Sequence, residues 1–153
     1  MQRTYSLSRY ILSITTSNLE YQKIIGANFT LGGTGEIADN FLNSISFSTN
    51  GTLYSVKGNA RGSYVFDKNL DKTGTVTINL NQLSEAVARF KQLAEYMYTH
   101  DDDSTLTMTL KAGESGEEIV TCTDCLIQSI PGQDFSSTSS DQSWTFVVGR
   151  INY

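Results

Sequence analysis

Two cysteines, one histidine and a few acidic clusters are the side chains in this sequence best suited to chemistry. Cys122 and Cys125 have the spacing of half a structural zinc site. Such a site needs four ligands, and His100 is the single histidine of the chain. Residues three apart in a regular strand also point to opposite faces of the sheet. We therefore interpret both cysteines as ordinary thiols and predict no metal site.

Two further motifs do not fit the binding sites that they suggest. The run from His100 to Asp103 lacks the spacing and the glycine of a calcium loop, and acids after a helix C-terminus oppose the helix dipole. It favours a solvated loop or an interface. Residues 32–35 are Gly-Gly-Thr-Gly, but no Gly-Lys-Ser/Thr of a phosphate-binding loop follows them. They predict a turn.

With a single histidine, the chain also has few residues that could catalyse hydrolysis. A serine triad or a cysteine dyad would have to use His100, which lies in an acidic turn, and no nucleophile-elbow motif occurs. Two carboxylates distant in sequence can meet in space for glycoside chemistry, but no pair stands out. The residues predict a protein that is not an enzyme and needs no cofactor.

Length and charge restrict the class of protein further. The 153 residues, 39% of them hydrophobic, predict a single domain spanning 1–153. A net charge of -5 argues against a protein that binds nucleic acid through its phosphates. Residues 1–10 lack the apolar core of a signal peptide and no apolar run reaches membrane-spanning length, so we expect synthesis in the cytoplasm and no membrane contact.

The elements that would position any site are organised around residues 73–99. Val76, Ile78 and Leu80 alternate with polar residues, which is typical of a half-buried strand. The period then becomes helical and predicts a helix over about residues 82–98, with Asn81 or Ser84 as N-cap. Its apolar stripe is Leu83, Ala86, Val87, Phe90, Leu93, Ala94 and Met97.

The remaining residues predict strands and turns. Strands are expected at residues 10–15 and 21–25, at 105–111, at about 117–130 with a bulge near 122–125, and at 142–151. Residues 44–49 and 52–57 flank Asn50-Gly51, which favours a hairpin with a type I′ turn, pairing Phe47 with Tyr54. We predict a mainly β fold: an antiparallel β-sandwich or barrel with one α-helix.

The segment from residue 62 to 84 carries a more specific pattern. Asp71 to Leu80 fits a (D/K)-(S/T)-G-T-(V/I)-T-(V/I)-x-L strand, and Gln82 to Ser84 fits a (Q/T)-x-S helix start. This pattern resembles the tail tube proteins of contractile-tailed bacteriophages, and the order of the elements is similar over most of the chain. The predicted helix is longer than in many relatives, which leaves the subfamily open.

The resemblance implies a virion structural protein. Hexameric rings would join their sheets edge to edge around a lumen and stack into the conduit for DNA ejection. The implied partners are other copies of the chain, the tail sheath, the tape-measure protein and transiting DNA in the lumen without specific DNA binding, and the baseplate and tail terminator proteins. A headless contractile bacteriocin and a type VI secretion tube use the same architecture and stay open. A β-sandwich adhesin or carbohydrate-binding module is a more distant alternative.

Two surfaces become candidates on this interpretation. The hairpin at about residues 44–57 is expected to project and to bridge neighbouring rings through Ser44, Ile45, Phe47, Asn50, Gly51, Tyr54 and Val56. Polar strand faces are candidates to line the lumen, and the sequence leaves open which of them does so. Their residues are Thr75, Thr77, Asn79, Thr105, Thr107 and Thr109, with Glu117 and Asp124 as the carboxylates.

Overall fold

The computed structural model describes residues 10–26, 29–31, 42–100, 104–112, 118–133, 138 and 140–153. Within these residues the chain forms nine strands and two helices. They are β1 (Tyr10–Thr15), α1 (Leu19–Ile25), β2 (Phe29–Leu31), β3 (Leu42–Thr49), β4 (Tyr54–Gly58), β5 (Tyr64–Lys68), β6 (Gly74–Asn81), α2 (Glu85–Thr99), β7 (Leu106–Ala112), β8 (Glu118–Ser129) and β9 (Asp141–Asn152).

Seven of the strands form one antiparallel sheet in the order β2-β1-β7-β8-β9-β6-β3, and β4 pairs only with β5. The predicted mainly β, antiparallel fold is confirmed. Strand β6 shows the predicted alternation, with Val76, Ile78 and Leu80 fully buried and their neighbours half-buried. The buried side chains of the sheet lie on one face, where the two helices contribute the rest of the core.

Phe90 on α2 shows how strongly the sheet curls. Its ring centroid lies 5.6 Å from that of Phe29 on β2, and 5.6 and 5.3 Å from those of Trp144 and Phe146 on β9. Four strand spacings separate β2 from β9, which is roughly 19 Å in a flat sheet. A single ring can touch both strands only because the sheet bends around α2 as a half-barrel.

Helix α2 confirms the strongest helical prediction. The Ser84 hydroxyl accepts a hydrogen bond from the Ala86 N–H at 3.2 Å and so caps the first turn. Ala86, Val87, Phe90, Leu93 and Ala94 are buried as the stripe predicts. Leu83 is the exception, because it precedes the helix and remains 65% exposed.

The predicted strand at residues 21–25 is wrong, because these residues belong to helix α1. The Asn18 side-chain oxygen accepts hydrogen bonds from the N–H groups of Glu20 and Tyr21, which starts the helix. Tyr21 and Ile25, four residues apart, share its buried face. The Arg89 guanidinium donates to the Ile25 carbonyl at 2.8 Å and ties the end of α1 to α2.

The predicted hairpin at residues 44–57 is also wrong. Strand β3 pairs with β6, which brings Phe47 opposite Val76 and Ile45 opposite Ile78. This pairing lets Ile45 and Phe47 pack against the core, which a local hairpin would not have allowed. A type I′ turn needs positive φ at both central residues, and neither Asn50 nor Gly51 has it.

A β-bulge interrupts β8 where the sequence predicts one. Leu106 pairs with Cys125 but Met108 pairs with Cys122, so β8 carries one extra residue, and Asp124 has a φ of 58°. Both cysteines consequently face the core, where they are fully buried free thiols. A hydrogen bond with Cys122, together with burial, raises the pKa of Cys125. A buried thiol with a raised pKa, such as that of Cys125, is a poor nucleophile.

Replacing Phe90 tests whether one ring holds the curled sheet. Phe90→Ala removes the contact between α2 and both strands, and we expect the free energy of unfolding to fall by about 3–5 kcal/mol. Urea unfolding followed by circular dichroism measures it. Gln92→Ala, at an exposed position of the same helix, is the control. Equal stability of the two variants would show that the half-barrel does not depend on Phe90.

Candidate assembly surfaces

The sheet face turned away from the helices carries many hydroxyl and amide side chains, together with the aliphatic Ile11, Leu126 and Val147 and the charged Lys111, Asp141 and Arg150. Residues opposite each other in an antiparallel pair share a face, so the register assigns this surface. We call it the hydroxyl face. Its hydroxyl and amide members include Ser13, Ser44, Ser46, Ser48, Thr75, Thr77, Asn79, Thr107, Thr109, Thr121, Ser143 and Thr145.

The hydroxyl face unites two groups of residues that the sequence leaves separate. Thr75, Thr77 and Asn79 on β6 and Thr107 and Thr109 on β7 lie on the same side of one sheet, with β8 and β9 between them. Both groups of lumen candidates therefore belong to a single continuous surface.

Hydrogen bonds between strands order the side chains of this face. The Asn79 amide donates to the Ser44 hydroxyl on β3 and accepts from the Ser143 hydroxyl on β9. Just before β7, the Thr105 hydroxyl donates to the Asp124 carboxylate at 3.0 Å. Thr105 and Asp124 are thus in contact with each other, whereas Glu117 lies outside the described residues.

The central part of the hydroxyl face, on β3 and β6, is an uncharged polar surface. The hydroxyl and amide members of the face carry no charge, while Lys111, Asp141 and Arg150 lie on the same face nearer the ends of their strands. Within the described residues no group of three or more His, Cys, Asp or Glu side chains is placed to hold a metal ion. The uncharged part of this face can exchange weak hydrogen bonds with another molecule.

Strand β3 forms one edge of the sheet. It pairs with β6 on one side, and on its other side no strand joins it within the part of the chain that the structure describes. The opposite edge is the short strand β2. An eight-residue edge strand leaves a row of backbone donors and acceptors that another chain can pair with.

Strands β4 and β5 form a two-stranded ribbon that stands apart from the body. We call residues 54–68 the ribbon, and every residue in its two strands is exposed. Its two faces differ, because Val56 pairs with Phe66 while Ser55 pairs with Asp67. The apolar face carries Tyr54, Val56, Tyr64 and Phe66, which are 53–65% exposed. Lys68 lies opposite Tyr54 on the same face, with its Nζ 5.9 Å from the centroid of the Tyr54 ring. The polar face consists of Ser55, Lys57, Val65 and Asp67.

The shape of the ribbon does not come from burial of its strands, since all ten residues of β4 and β5 are exposed. A two-stranded hairpin without a covered face is marginally stable in water, and a contiguous exposed apolar patch marks an interaction surface. The Tyr64 and Phe66 rings contact each other edge to face at 5.5 Å, and Lys57 pairs with Asp67 at 3.5 Å on the other face. These contacts add little in water, so the apolar face needs a partner.

Hydrogen bonds at the root fix how the ribbon joins the body. The Asn50 N–H donates to the Thr73 carbonyl and the Asn69 N–H to the Leu53 carbonyl, both at 2.8 Å. The Asp71 carboxylate accepts from the hydroxyl and the N–H of Thr73 at 2.6 and 2.9 Å. The hydrogen bond from the Thr73 hydroxyl lowers the pKa of Asp71 most, and that from the Thr73 N–H lowers it further.

The predicted bridging residues are divided among three places. Ser44, Ile45 and Phe47 lie on β3, the last two half-buried. Asn50 and Gly51 lie at the ribbon root. Only Tyr54 and Val56 lie on the ribbon itself. Sequence reasoning missed Tyr64 and Phe66. The turn-forming residues 59–63 could have indicated them, because this turn joins the two strands of the ribbon. In it the Asn59 side chain accepts hydrogen bonds from the N–H groups of Arg61 and Ser63, and Gly62 has a φ of 81°.

Comparison with known proteins identifies the class to which these surfaces belong. Residues 8–153 match the family described as bacteriophage PhiTE tail tube protein. The chain belongs to this family. The resemblance noted in the sequence is thereby confirmed, and no curated protein sequence matches the chain. In the described part of this tail tube protein, no helix has the length and apolar character to span a membrane.

Solved structures share the fold at low sequence identity. A chain of the anti-feeding prophage (AFP) baseplate, in a 6-fold symmetrised cryo-EM structure, has a TM-score of 0.58 and 11% identity, covering 99% of this chain and 96% of that one. A chain of the sheath-tube complex of an extracellular contractile injection system, PVC, in the extended state has a TM-score of 0.51 and 14% identity, covering 99% and 91%. At these identities the likeness concerns the fold alone.

Asp71 makes the ribbon root sensitive to acid. A carboxyl whose pKa is lowered on folding stabilises the folded root above its unfolded pKa, and this stabilisation is lost as the pH falls through the folded pKa. In an NMR titration we expect the Thr73 amide signal to shift with a midpoint below 3.8, the ordinary value of Asp71. Asp71→Ala should remove this transition, whereas Asp67→Ala should retain it. A midpoint at or above 3.8 would contradict the Asp71–Thr73 hydrogen bonds.

Proposed function

We propose that this tail tube protein assembles into hexameric rings that stack as the inner tube of a contractile phage tail, the conduit for DNA ejection. The observation that supports this most directly is the half-barrel itself. Its helices cover one face of the sheet, while no other described element covers the hydroxyl face or the outer side of the eight-residue edge strand β3. Such a sheet gains most from joining the sheets of further copies.

Ring closure follows from the open edges. Pairing β3 with the opposite edge of a neighbour is a heterologous contact, which closes into a ring when the rotation permits. A barrel shared among subunits has no free edges and so removes the hazard of random edge pairing. We assign six copies to the ring on the resemblance to the tail tube family.

The position of the edge strand supports one choice of lumen-lining strands. A sheet extended through β3 continues over β6 and β9, which Asn79 links to β3 by hydrogen bonds. Because the sheet curls, β7 turns away from the surface that continues through that edge. We therefore assign Thr75, Thr77 and Asn79 to the wall, and not Thr105, Thr107 and Thr109.

A hydroxyl wall suits the passage of a polyanion. At physiological ionic strength the screening length is about 8 Å, so charges on the wall act well into a narrow lumen. A basic wall would release counterions from DNA and hold it, whereas an uncharged wall lets it move. The net charge of -5 keeps the chain as a whole unattractive to phosphate.

The other surfaces fit the remaining partners of a tube. The ribbon would bridge neighbouring rings, and the helix side would face the tail sheath. The tape-measure protein and the DNA would occupy the lumen, and baseplate and tail terminator proteins would bind the two ends. This places the protein in the virion tail after synthesis in the host cytoplasm. This chain shares its fold with a chain of the PVC sheath-tube complex, which supports the proposal that a sheath surrounds the tube.

The second candidate function is that of a tube subunit in a contractile injection particle other than a phage tail. Such particles include headless bacteriocins and type VI secretion systems. The two structural neighbours favour it, since they come from an anti-feeding prophage and an extracellular contractile injection system. A neutral wall suits a protein cargo as well. Electron microscopy of particles purified from the producing cells distinguishes the two, because only a phage tail is joined to a DNA-filled head.

Two valines on the ribbon test its role in assembly. We expect the wild-type protein to associate with rising concentration in sedimentation velocity and to form rings or tubes in negative stain. Val56→Ser, on the apolar face, should weaken this association by on the order of tenfold, since about 1–2 kcal/mol of burial is lost. Val65→Ser, equally exposed on the polar face, should assemble like the wild type. A wild-type protein that stays monomeric at every concentration would overturn the tube assignment.

Lysine substitutions on the hydroxyl face test which strand lines the lumen. Thr75→Lys with Thr77→Lys should permit assembly but slow or block DNA ejection in low salt, because the new cations bind phosphate, and high salt should relieve the defect. Thr107→Lys with Thr109→Lys is the matched control on β7. Normal ejection in low salt by the β6 variant would show that β6 does not line the channel. A defect only in the control would assign the wall to β7.

A further inference from the structure

The Asn50-Gly51 pair at the root of the ribbon has a reactivity of its own. The backbone nitrogen of the residue after an asparagine can attack the asparagine side-chain carbonyl carbon, which makes asparagine a labile residue. Glycine permits this attack most readily because it has no Cβ atom. The pair occurs once in the chain, directly after β3, and Asn50 is exposed to water.

The reacting groups are available in the folded root. Within the described part of the chain, the Gly51 N–H donates no hydrogen bond and the Asn50 side-chain oxygen accepts none. The Asn50 side-chain nitrogen donates to the Thr73 hydroxyl at 3.2 Å. Attack on the side chain therefore breaks only this one long hydrogen bond, and the bond from the Asn50 N–H to the Thr73 carbonyl can remain.

Packing at the root requires glycine at position 51. A Cβ atom there would lie 3.0 Å from both the Asn69 side-chain nitrogen and the Asp71 carbonyl oxygen. Contacts this short force neighbouring atoms apart, because protein interiors are close-packed. The fold thus requires at position 51 the residue that leaves the preceding asparagine most reactive.

We propose that Asn50 is a site of spontaneous deamidation in the folded protein. The Gly51 nitrogen loses its proton to a base in the solvent and bonds to the Asn50 side-chain carbonyl carbon. The bond from this carbon to the side-chain nitrogen breaks, and the nitrogen leaves as ammonia. Water then opens the cyclic imide to aspartate or isoaspartate, so that one water is consumed for each ammonia released. The reaction requires neither assembly nor the proposed tube function.

The product places a second carboxylate at the ribbon root. The single proton of the Thr73 hydroxyl is donated to the Asp71 carboxylate at 2.6 Å. A carboxylate at position 50 has no proton to donate to this hydroxyl and lies across it from Asp71. Nearby like charges disfavour ionisation, so the product raises the pKa of Asp71. Isoaspartate also adds a backbone atom between β3 and the ribbon. Deamidation therefore changes the charge and the direction of the ribbon in one irreversible reaction.

Mass spectrometry with fragmentation tests the site in protein incubated in mildly alkaline buffer. We expect aspartate and isoaspartate to accumulate at position 50, faster at higher pH because the attacking nitrogen must lose its proton. Asn59 is the internal control, since it is exposed on the same ribbon but precedes alanine, and its side-chain oxygen accepts from the N–H groups of Arg61 and Ser63. Asn50→Gln, which keeps the amide on a longer side chain, should lose the modification.

The outcomes of this incubation decide whether the folded root permits the reaction. Modification of Asn50 only in urea-unfolded protein would show that the root protects it and would overturn the proposal. Equal modification of Asn50 and Asn59 would also overturn it, because neither glycine nor the root geometry would then matter. Rings or tubes in negative stain are scored separately, so a failure of the tube assignment leaves this result unaffected.

The Asn50→Asp variant tests the effect of the product on the root. In the NMR titration of the Thr73 amide we expect a midpoint above that of the wild-type protein, because the added carboxylate raises the pKa of Asp71. Asn59→Asp adds the same charge at the far end of the ribbon and should keep the wild-type midpoint. A midpoint that is the same in both variants would contradict the proposed effect on Asp71.

Discussion

The contact of Phe90 with both β2 and β9 is the constraint on which the rest of the structure depends. It places one helical side chain between strands that a flat sheet would hold far apart, so the sheet has to curl around α2. Even an eight-stranded barrel has room only for side chains in its interior. Seven strands around a helix therefore stay open, and the open edges are a consequence of how the core is filled.

The same constraint separates stability from assembly. The buried core is made by the inner face of the sheet and the two helices, and no residue of the ribbon belongs to it. The hydroxyl face and the ribbon are consequently free to serve contacts with other molecules. Because the ribbon is anchored at Asn50, Leu53 and Thr73, its direction is set before any partner arrives, which lowers the entropic cost of binding.

The bulge at Asp124 shows how a local irregularity serves both faces. It turns Cys122 and Cys125 into the core together, and it brings the Asp124 carboxylate to the Thr105 hydroxyl. Gly149 lies opposite, where a Cβ atom would come within 3.0 Å of the Asp124 Cβ, so a larger residue at that position would crowd the bulge. The sequence predicts the bulge from the broken alternation of β8, but not the contacts that it creates.

The sequence by itself determined which side chains of β6, and most of those of α2, point toward the core, because alternation and helical periodicity are local properties of the chain. It also determined the family, through the motif around Asp71 to Leu80. It failed at α1, whose seven residues are too few for a clear helical period, and at Asn50-Gly51, where the local turn preference was weaker than the burial that β3 gains beside β6. Only the tertiary structure decided which strands are neighbours, and therefore that the polar residues of β6 and β7 share one face and that the ribbon lies apart. Strand pairing depends on contacts between residues distant in sequence, and their energies are settled only when the whole core is packed.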